Sequence, residues 1–247
     1  GVINRKGELV VEMKYAYVGP YFSGMMPVKN EQNKFGYMNP QGEIKVPFIF
    51  DNAEHFYQVG PYAKDKSGAA FAKVTLNGRY TIINKEGKYL KPKRGNEQPN
   101  GIHILGDLVT FGIYNESKNA YLYTVLKEDF TPLFKPSDAM TRLHQLRDGR
   151  NVVEVSEKAM RLKGINTCGP YEYSQFRIPW KNNISPEDLV VPLISLYDYA
   201  GNEIISRDRG YNYIELYDKM ISVGRAYDID GKAAARFGFV NWQGKEV

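Results

Sequence analysis

The sequence predicts an all-β protein built from tandem three-stranded β-meanders. Three observations support this prediction: one hairpin turn recurs along the chain, aromatic residues are abundant, and helical periodicity is nearly absent. The 247 residues include 19 Tyr, 12 Phe and 2 Trp, and aromatic side chains favour strands over helices. The chain is long enough for a sizeable core, as one or two domains or as one repeat array.

The recurring turn is clearest in residues 35–42, Phe-Gly-Tyr-Met-Asn-Pro-Gln-Gly. Asn39 can accept a hydrogen bond from the backbone two residues on, Pro40 sets the φ that a type I turn requires, and Gly42 suits the left-handed position that follows. A type I turn followed by a left-handed Gly closes a three-residue hairpin with a bulge. Residues 35–42 are therefore predicted to be a strand that enters a hairpin.

Copies of this turn, each preceded by an apolar pair, recur at intervals of about 35–45 residues, a spacing typical of repeat architectures. The copies are Val2-Ile3-Asn4…Gly7, Tyr37-Met38-Asn39…Gly42, Ile82-Ile83-Asn84…Gly87, Leu196-Tyr197-Asp198…Gly201 and Phe239-Val240-Asn241…Gly244. Residues 124–129 (Thr-Val-Leu-Lys-Glu-Asp) are interpreted as a degenerate copy, and residues 153–158 as a further candidate.

Other segments complete the predicted unit of three strands and a crossing of about 10 residues, which must stack on its neighbours to bury an apolar face. Strands are predicted ahead of the turns at residues 22–28, 69–74 and 219–223. Asn77-Gly78 and Asp148-Gly149 are dipeptides that favour type I′ hairpin turns. Gly-Pro-Tyr at residues 19–21, 60–62 and 169–171 is interpreted as the crossing between units.

The chain is predicted to form a single β-repeat array over residues 1–247, with an irregular insertion at about 164–192. An open curved array and a closed propeller of about five blades both fit such units. A strand-swapped ring needs complementary ends, but the turns at Asn4 and Asn241 duplicate each other. The open array is therefore favoured.

The combination of residues 35–42, 50–56 (Phe-Asp-Asn-Ala-Glu-His-Phe) and 22–28 (Phe-Ser-Gly-Met-Met-Pro-Val) resembles the bacterial WG-repeat family. The resemblance is good over residues 1–90 and 217–247 and weaker between them. Phe35 and Phe237 stand where the family has Trp before the Gly, and Tyr80-Thr81 replaces Trp-Gly in the third copy. The resemblance implies a repeat-built β-structure and carries no activity with it.

Composition excludes few classes of function. The net charge of +5 is mild and the basic residues are scattered, whereas a nucleic-acid binder more often has a concentrated basic stripe. No stretch approaches the roughly 18 apolar residues of a membrane helix. The first residues carry no apolar signal segment and begin within a repeat, which leaves an exported or periplasmic location open for a processed or trimmed chain.

No residue pattern predicts catalysis, a cofactor or a metal site. His55, His103 and His144 are far apart in sequence, whereas metal ligands usually occur in short-spaced pairs. Cys168 could be a nucleophile only if the fold brought a base such as His144 beside it. A loop cysteine without catalytic consequence is the favoured interpretation of Cys168.

The abundant tyrosines suggest a binding surface, because Tyr combines a rigid apolar ring with a polar tip. The candidate binding residues lie in or beside crossing segments: Tyr57, Tyr62, Tyr171, Tyr173, Tyr211 and Tyr213. The competing interpretation is that these rings fill the seams between stacked units.

Three hypotheses of function follow. The first is a non-catalytic binding or scaffold module that presents an extended surface to a protein or peptide. The alternative is a carbohydrate- or cell-envelope-associated binding domain, which the tyrosines favour. The third is a hydrolase that uses Cys168 with His144.

Overall fold

A computed structural model describes residues 1–56, 68–90, 100–161, 190–229 and 232–247. The chain divides into two compact units, residues 1–136 and 137–247. Within the described ranges the regular elements are antiparallel β-strands and two 3₁₀ turns, Glu116–Lys118 and Arg207–Arg209. None of these residues belongs to a helix that is long and apolar enough to cross a membrane. The all-β prediction is confirmed.

The first unit consists of small sheets whose strands are consecutive in sequence. The first sheet holds β1 (Val2–Ile3) and β2 (Leu9–Val11), and the second holds β3 (Tyr17–Val18), β4 (Met26–Lys29), β5 (Phe35–Met38) and β6 (Ile44–Phe50). The third sheet holds β7 (Asn52–Ala53), β8 (Phe71–Leu76) and β9 (Arg79–Asn84), and the fourth holds β10 (Asn100–Leu105), β11 (Leu108–Asn115) and β12 (Ala120–Lys127). The second, third and fourth sheets are β-meanders, as predicted, and the first sheet is a two-stranded hairpin.

The second unit repeats the same plan in two sheets. The fifth sheet of the chain holds β13 (Met140–Gln145), β14 (Asn151–Arg161), β15 (Val190–Asp198) and β16 (Glu203–Ile205). The last sheet holds β17 (Tyr213–Leu216), β18 (Ile221–Ile229) and β19 (Lys232–Val240). Most of the predicted insertion, residues 164–189, lies outside the described residues. Its final residues, 190–192, belong to β15 and pair with β14.

The recurring turn has the predicted geometry. The amide of Asn39 donates to the carbonyl of Glu43, and the amide of Gly42 donates to the carbonyl of Asn39, both at 3.0 Å. The Asn39 side-chain oxygen accepts from the amides of Gln41 and Glu43, and Gly42 has a φ of 83°. The same pair of backbone bonds closes the turns that begin at Asn4, Asn84, Asp198 and Asn241.

Three further turns share this geometry, although their sequences lack the Asn-x-x-Gly pattern. The degenerate copy at residues 124–129 is confirmed, because the turn that begins at Lys127 has both backbone bonds and places Phe130 at a φ of 66°. The turns that begin at Asn30 and Leu146 also have both bonds. In the turns at Lys127 and Leu146 the capping oxygen comes from an Asp two residues later, which accepts the amide of the fifth residue.

Two local predictions are wrong and one is confirmed. Asn77 and Gly78 both have positive φ, as a type I′ turn requires. At Asp148-Gly149 only the Gly is left-handed, because the three-residue turn from Leu146 replaces the type I′ turn. Residues 153–158 contain no turn, since they lie within β14.

Of the three predicted crossings, the one at residues 19–21 is wrong, and those at 60–62 and 169–171 lie outside the described residues. Gly19-Pro20 connects β3 to β4 within the second sheet, whereas β6 ends at Phe50 and β7 begins in the third sheet at Asn52. Asp51 lies at this junction, where its carboxylate pairs with Lys34 and accepts the amide of Gly78. The hydrogen bond from Lys34 holds the pKa of Asp51 below its ordinary value.

The two residues before each turn face opposite neighbouring sheets, because successive strand residues alternate between faces. Tyr37 belongs to the core shared with the third sheet, together with Phe56, Ala72 and Ile83. The next residue, Met38, belongs to the core shared with the first sheet. Both side chains are fully buried. The residue two positions before the turn Asn thus packs onto the following sheet, and the residue one position before it packs onto the preceding sheet.

The same assignment holds in the other copies. Ile83 packs back onto the second sheet and Ile82 forward onto the fourth. In the second unit Leu196 packs forward onto the last sheet, in a cluster with Ile214 and Val223. The cores therefore lie between consecutive sheets within each unit, as stacked meanders require.

Candidate functional site

The outward face of the last sheet carries a group of aromatic rings that are exposed or half-buried. Tyr213, Gly224 and Phe237 are cross-strand partners, and Glu215, Ser222 and Phe239 form the next row on the same face. Tyr217 follows Glu215 on this face. The name terminal aromatic face is used below for Tyr213, Tyr217, Phe237 and Phe239.

Phe239 on this face has the same repeat position as Tyr37, two residues before the turn Asn. Tyr37 is fully buried by the third sheet, whereas Phe239 is 45% exposed and Phe237 is 52% exposed. The neighbouring Val240 points the other way and is fully buried in the core of the second unit. The last sheet is therefore covered on one face, and its aromatic face is open in the described part of the chain.

Close packing holds the rings of the terminal aromatic face in place. Tyr213 and Phe237 meet edge to face, with ring centroids 5.6 Å apart. A Cβ on Gly224 would lie 2.8 Å from the Phe237 ring, so the absence of a side chain at Gly224 allows Phe237 to lie against the sheet.

Glu215 adds a carboxylate between the rings. The hydroxyl of Tyr213 donates to Oε2 of Glu215 at 2.6 Å. A hydrogen bond with Glu215 raises the pKa of Tyr217. The face therefore combines apolar rings with oriented hydroxyl groups, a composition typical of the anchor residues of protein interfaces.

The turn beside Tyr217 is held by Trp242. The Trp242 indole N–H donates to the carbonyls of Tyr217, at 3.2 Å, and Asp218, at 3.0 Å. The guanidinium of Arg150 lies 4.1 Å from the Trp242 ring and donates to the Asp218 carbonyl. These contacts connect the β13–β14 turn to the last sheet.

Only two of the six tyrosines predicted as binding residues lie among the described residues. Tyr57, Tyr62, Tyr171 and Tyr173 lie outside the described ranges. Tyr213 belongs to the terminal aromatic face. Tyr211 is 3% exposed, its hydroxyl donates to Glu246 at 2.9 Å, and the guanidinium of Arg225 lies 4.7 Å from its ring. Tyr211 is thus a core residue with a bonded hydroxyl, which leaves almost no ring surface for a ligand.

A second aromatic group lies on the β11–β12 hairpin. Tyr114 and Tyr121 are cross-strand partners with ring centroids 5.4 Å apart, and the Tyr123 ring is 6.5 Å from that of Tyr121. Gly112 is the partner of Tyr123, so no side chain stands opposite that ring. The three rings form a partly exposed row on one face of the hairpin.

The buried carboxylate of Glu154 is the most enclosed charged group among the described residues. His144 bonds Oε2 of Glu154 at 2.8 Å, Ser156 donates to Oε1 at 2.8 Å, and Arg142 lies 3.5 Å from Oε1. Burial acts to raise the pKa of Glu154, but His144, Ser156 and Arg142 together hold it below its ordinary value. His144 and Ser156 both bond the Glu154 carboxylate directly. In a catalytic triad the carboxylate bonds the histidine and the histidine bonds the serine, so these three residues are not arranged as a triad.

The other chemical candidates are not brought together by the described residues. Cys168 lies outside them, so the Cys168–His144 pairing stays a prediction. The His55 ring packs against Phe22, with centroids 5.8 Å apart, and burial lowers the pKa of His55. In the described part of the chain, no three His, Cys, Asp or Glu side chains are grouped as a metal centre would need.

Comparison with known proteins identifies the repeats. The family model of the WG containing repeat matches residues 1–34 and 35–80. The first 80 residues are WG repeats. The second match begins at Phe35, which is also the first residue of β5. No curated protein matches the chain.

The WG-repeat geometry continues where the sequence match ends. The turns that begin at Asn84, Lys127, Asp198 and Asn241 have the same backbone bonds as the turn at Asn39 within the matched region. The sheets after residue 80 are therefore built by the same turn, although the family-model matches end at residue 80.

Sequence reasoning placed Phe237 and Phe239 in a turn copy and did not predict their exposure. The repeat position that Phe239 shares with Tyr37 indicates which way the side chain points and does not indicate its exposure. The row of Tyr114, Tyr121 and Tyr123 could have been predicted in part. Tyr121 and Tyr123 are alternate residues of one strand, and alternate residues of a strand share a face.

Proposed function

We propose that this WG-repeat chain is a non-catalytic binding module whose terminal aromatic face docks a protein or peptide partner. The observation that carries the proposal is the exposure of Phe239 at a repeat position where Tyr37 is fully buried. The same position in the third sheet, Ile82, is also buried. A position that is buried by a neighbouring sheet elsewhere in the chain is suited to burial by a partner here.

The chemistry of the face supports a protein partner. Phe and Tyr are enriched in the buried centres of protein interfaces, whereas the surrounding rim is polar. Phe237 and Phe239 lie on β19, an edge strand of this sheet, and Glu215 is an exposed polar residue on the same face. Exposed aromatic rings that adjoin each other are unusual on a surface that remains in water, and such patches mark interaction sites.

Site-specific photo-crosslinking tests the proposal. A photoreactive phenylalanine analogue at position 239 should give discrete protein adducts in extracts of the native host. An excess of the unmodified chain should suppress them, and an excess of the Phe237→Ser/Phe239→Ser variant should not. The control carries the analogue at Tyr80, an exposed residue of the third sheet. Equal adducts at positions 239 and 80, or equal competition by the variant, would contradict the proposal.

A glycan ligand is the second candidate, and the row of Tyr114, Tyr121 and Tyr123 favours it. Aromatic rings with hydroxyl tips present an apolar face and hydrogen-bonding groups together, which suits the faces and hydroxyls of a sugar. Titration calorimetry with soluble polysaccharides and peptidoglycan fragments tests it, with Tyr121→Ala as the site variant and Tyr80→Ala as the control. Absence of heat with every glycan would remove this candidate.

A further inference from the structure

The strand β12 has an outer edge, on the side away from β11, that its own chain covers only in part. The carbonyl of Val125 accepts the amide of Leu133 at this edge, at 2.8 Å. In an antiparallel strand the N–H and C=O groups of one residue point to the same side, and the side alternates from residue to residue. The backbone groups of Tyr123 and Tyr121 therefore point to the same outer edge as those of Val125.

The segment that follows β12 leaves this edge before it reaches the two tyrosines. Residues 100–161 are described without a gap. After the turn, Pro132 forms a bridge with Leu126, and Leu133 forms the bond to Val125. Among the described residues no backbone bond reaches Tyr123 or Tyr121 from the outer side. The name β12 outer edge is used below for the backbone N–H and C=O groups of these two tyrosines.

The second sheet shows what covers the same edge in another copy of the repeat. Phe35 on β5 has the repeat position of Tyr123, four residues before the first residue of the turn. The partner of Phe35 on the outer side is Phe50 of β6. The edge of β5 is thus completed by an extended strand, whereas the described part of the fourth sheet supplies no such strand at Tyr123.

Aromatic rings lie beside the β12 outer edge. The rings of Tyr114 and Tyr121 are 5.4 Å apart, and the Tyr123 ring is 6.5 Å from that of Tyr121. A strand added at this edge would place every second side chain on the same face as these rings. Aromatic and β-branched residues form the favourable cross-strand pairs with aromatic residues, so these are the side chains that we expect at the positions opposite Tyr121 and Tyr123.

We propose that the β12 outer edge binds an extended peptide, which adds to the fourth sheet as a further strand with aromatic or β-branched residues at alternate positions. An unpaired strand edge presents a row of N–H and C=O groups that can pair with another chain. In peptide binding by strand addition, these main-chain bonds give affinity and the alternate side chains give specificity. The site uses no residue of the terminal aromatic face, so it goes beyond the proposed function.

A phage library of random linear peptides, selected on the immobilised full chain, supplies the probe. The enriched peptides should carry aromatic or β-branched residues at every second position. Fluorescence anisotropy then gives their Kd for the wild-type chain and for each variant. A selection that enriches no peptide would overturn the proposal.

Two substitutions at Tyr123 separate main-chain pairing from contact with the ring. Both Tyr123→Ala and Tyr123→Pro remove the ring, but only Tyr123→Pro also removes the N–H at the outer edge. The amide of Tyr123 points away from β11, and proline is tolerated on edge strands in this orientation. We expect Tyr123→Pro to bind the peptides about fivefold more weakly than Tyr123→Ala, or weaker still, because a main-chain hydrogen bond is lost. Equal affinities of these two variants, with the same circular dichroism spectrum, would contradict main-chain pairing.

Methylation of the peptide backbone makes the same test without altering the protein. In an added antiparallel strand every second N–H of the peptide points to β12. N-methylation at those positions should abolish binding, and N-methylation at the positions between them should have little effect. Methyl groups that are tolerated equally at all positions would overturn strand addition.

The terminal aromatic face is tested separately with the same peptides. The Phe237→Ser/Phe239→Ser variant should bind them with unchanged affinity. If the peptides lose affinity for that variant and keep it for Tyr123→Pro, the β12 outer edge is not their site and the proposed function is supported instead. If soluble glycans bind equally to Tyr123→Pro and Tyr123→Ala and no peptide is enriched, the tyrosine row binds sugars and the peptide site is overturned.

Discussion

Tyr37 and Phe239 occupy the same position of the repeat, two residues before the turn Asn, but among the described residues only Tyr37 is covered by a following sheet. Tyr37 is fully buried, its ring meets Phe56 at 5.0 Å, and its hydroxyl donates to the Glu54 carbonyl at 2.7 Å. Phe239 is 45% exposed. A residue at this position therefore packs in the core where a described sheet covers it, and is exposed where none does.

Truncation of these two residues should have very different effects on stability. Tyr37→Ala creates a cavity and removes the partner of a buried carbonyl, so we expect a loss of about 3–5 kcal/mol in the free energy of unfolding. Phe239→Ala should change it by less than about 0.5 kcal/mol, as for most surface substitutions. Urea denaturation followed by circular dichroism measures both. Equal losses would show that Phe239 is packed as tightly as Tyr37.

The Gly of the WG motif is explained by the strand beside it. In the second sheet a Cβ on Gly36 would lie 2.5 Å from the carbonyl oxygen of Val46 and 3.1 Å from the backbone of Pro47. The β5–β6 register shifts at this point, and the bulged strand passes over Gly36. At Gly238 no atom lies within 4 Å of the same Cβ position, because β19 has no such strand beside it in the described residues.

We therefore predict opposite outcomes for Ala at these two glycines. Gly36→Ala should destabilise the fold by about 1–3 kcal/mol, because backbone atoms would have to move. Gly238→Ala should be neutral or stabilising by about 0.4–1 kcal/mol, since Ala restricts the unfolded chain more than Gly does. Thermal unfolding of both variants is the measurement. A loss at Gly238 as large as that at Gly36 would mean that the steric explanation is wrong.

Asn84 has a second role that Asn39 lacks. Its side-chain oxygen caps its own turn by accepting the amide of Lys88, and its side-chain NH₂ donates to the Glu128 carbonyl at 2.9 Å. Glu128 belongs to the turn of the fourth sheet. Asn84 is fully buried, so it joins the turns of two consecutive sheets, whereas the Asn39 side chain bonds only within its own turn.

Replacing Asn39 or Asn84 by Asp tests this difference between the two residues. Asn39→Asp keeps the capping oxygen, as Asp198 does in the fifth sheet, and should cost less than about 1 kcal/mol. Asn84→Asp removes the donor to Glu128 and buries a charge, so we expect a loss of about 2–3 kcal/mol at neutral pH. Comparing the urea midpoints of both variants at pH 7 measures this. If Asn84→Asp is as mild as Asn39→Asp, the bond to Glu128 contributes little.

Much of the fold could be predicted from the sequence because its turns have strong local chemistry. Asn39 and Gly42 each satisfy a requirement of the turn that few other residues satisfy as well. The turn at Leu146 escaped prediction because its cap is Asp148, two positions later than usual. The left-handed conformation of Phe130 could not be predicted from the sequence, since aromatic residues rarely adopt it.

The candidate site was harder to predict than the fold, because exposure is not a local property. An apolar residue at the position of Tyr37 or Phe239 has the same neighbours in sequence whether or not a sheet covers it. Tyr211 shows the converse case: a tyrosine in a crossing segment looked available and is buried in the core of the second unit. Only the stacking order of the sheets separates these cases.

The buried ion pair in the second unit predicts an acid-sensitive component of stability. The folded chain holds the pKa of Glu154 below its ordinary value of 4.5. Between the folded pKa and 4.5 the unfolded chain binds more protons, so stability rises with pH across that interval. The contribution of Glu154 is thus fully present above about pH 5, and it is lost as the pH falls through the folded pKa.

Glu154→Gln should remove this component and leave His144 and Arg142 without their carboxylate. We expect a loss of about 2–3 kcal/mol at pH 6, smaller than for a fully buried pair because Arg142 is half exposed. The difference between the wild-type chain and the variant should shrink as the pH falls from 5 toward 3. Urea denaturation at a series of pH values measures it, with Glu43→Gln as a control for an exposed carboxylate. A difference that is constant with pH would show that the charge of Glu154 contributes nothing to stability.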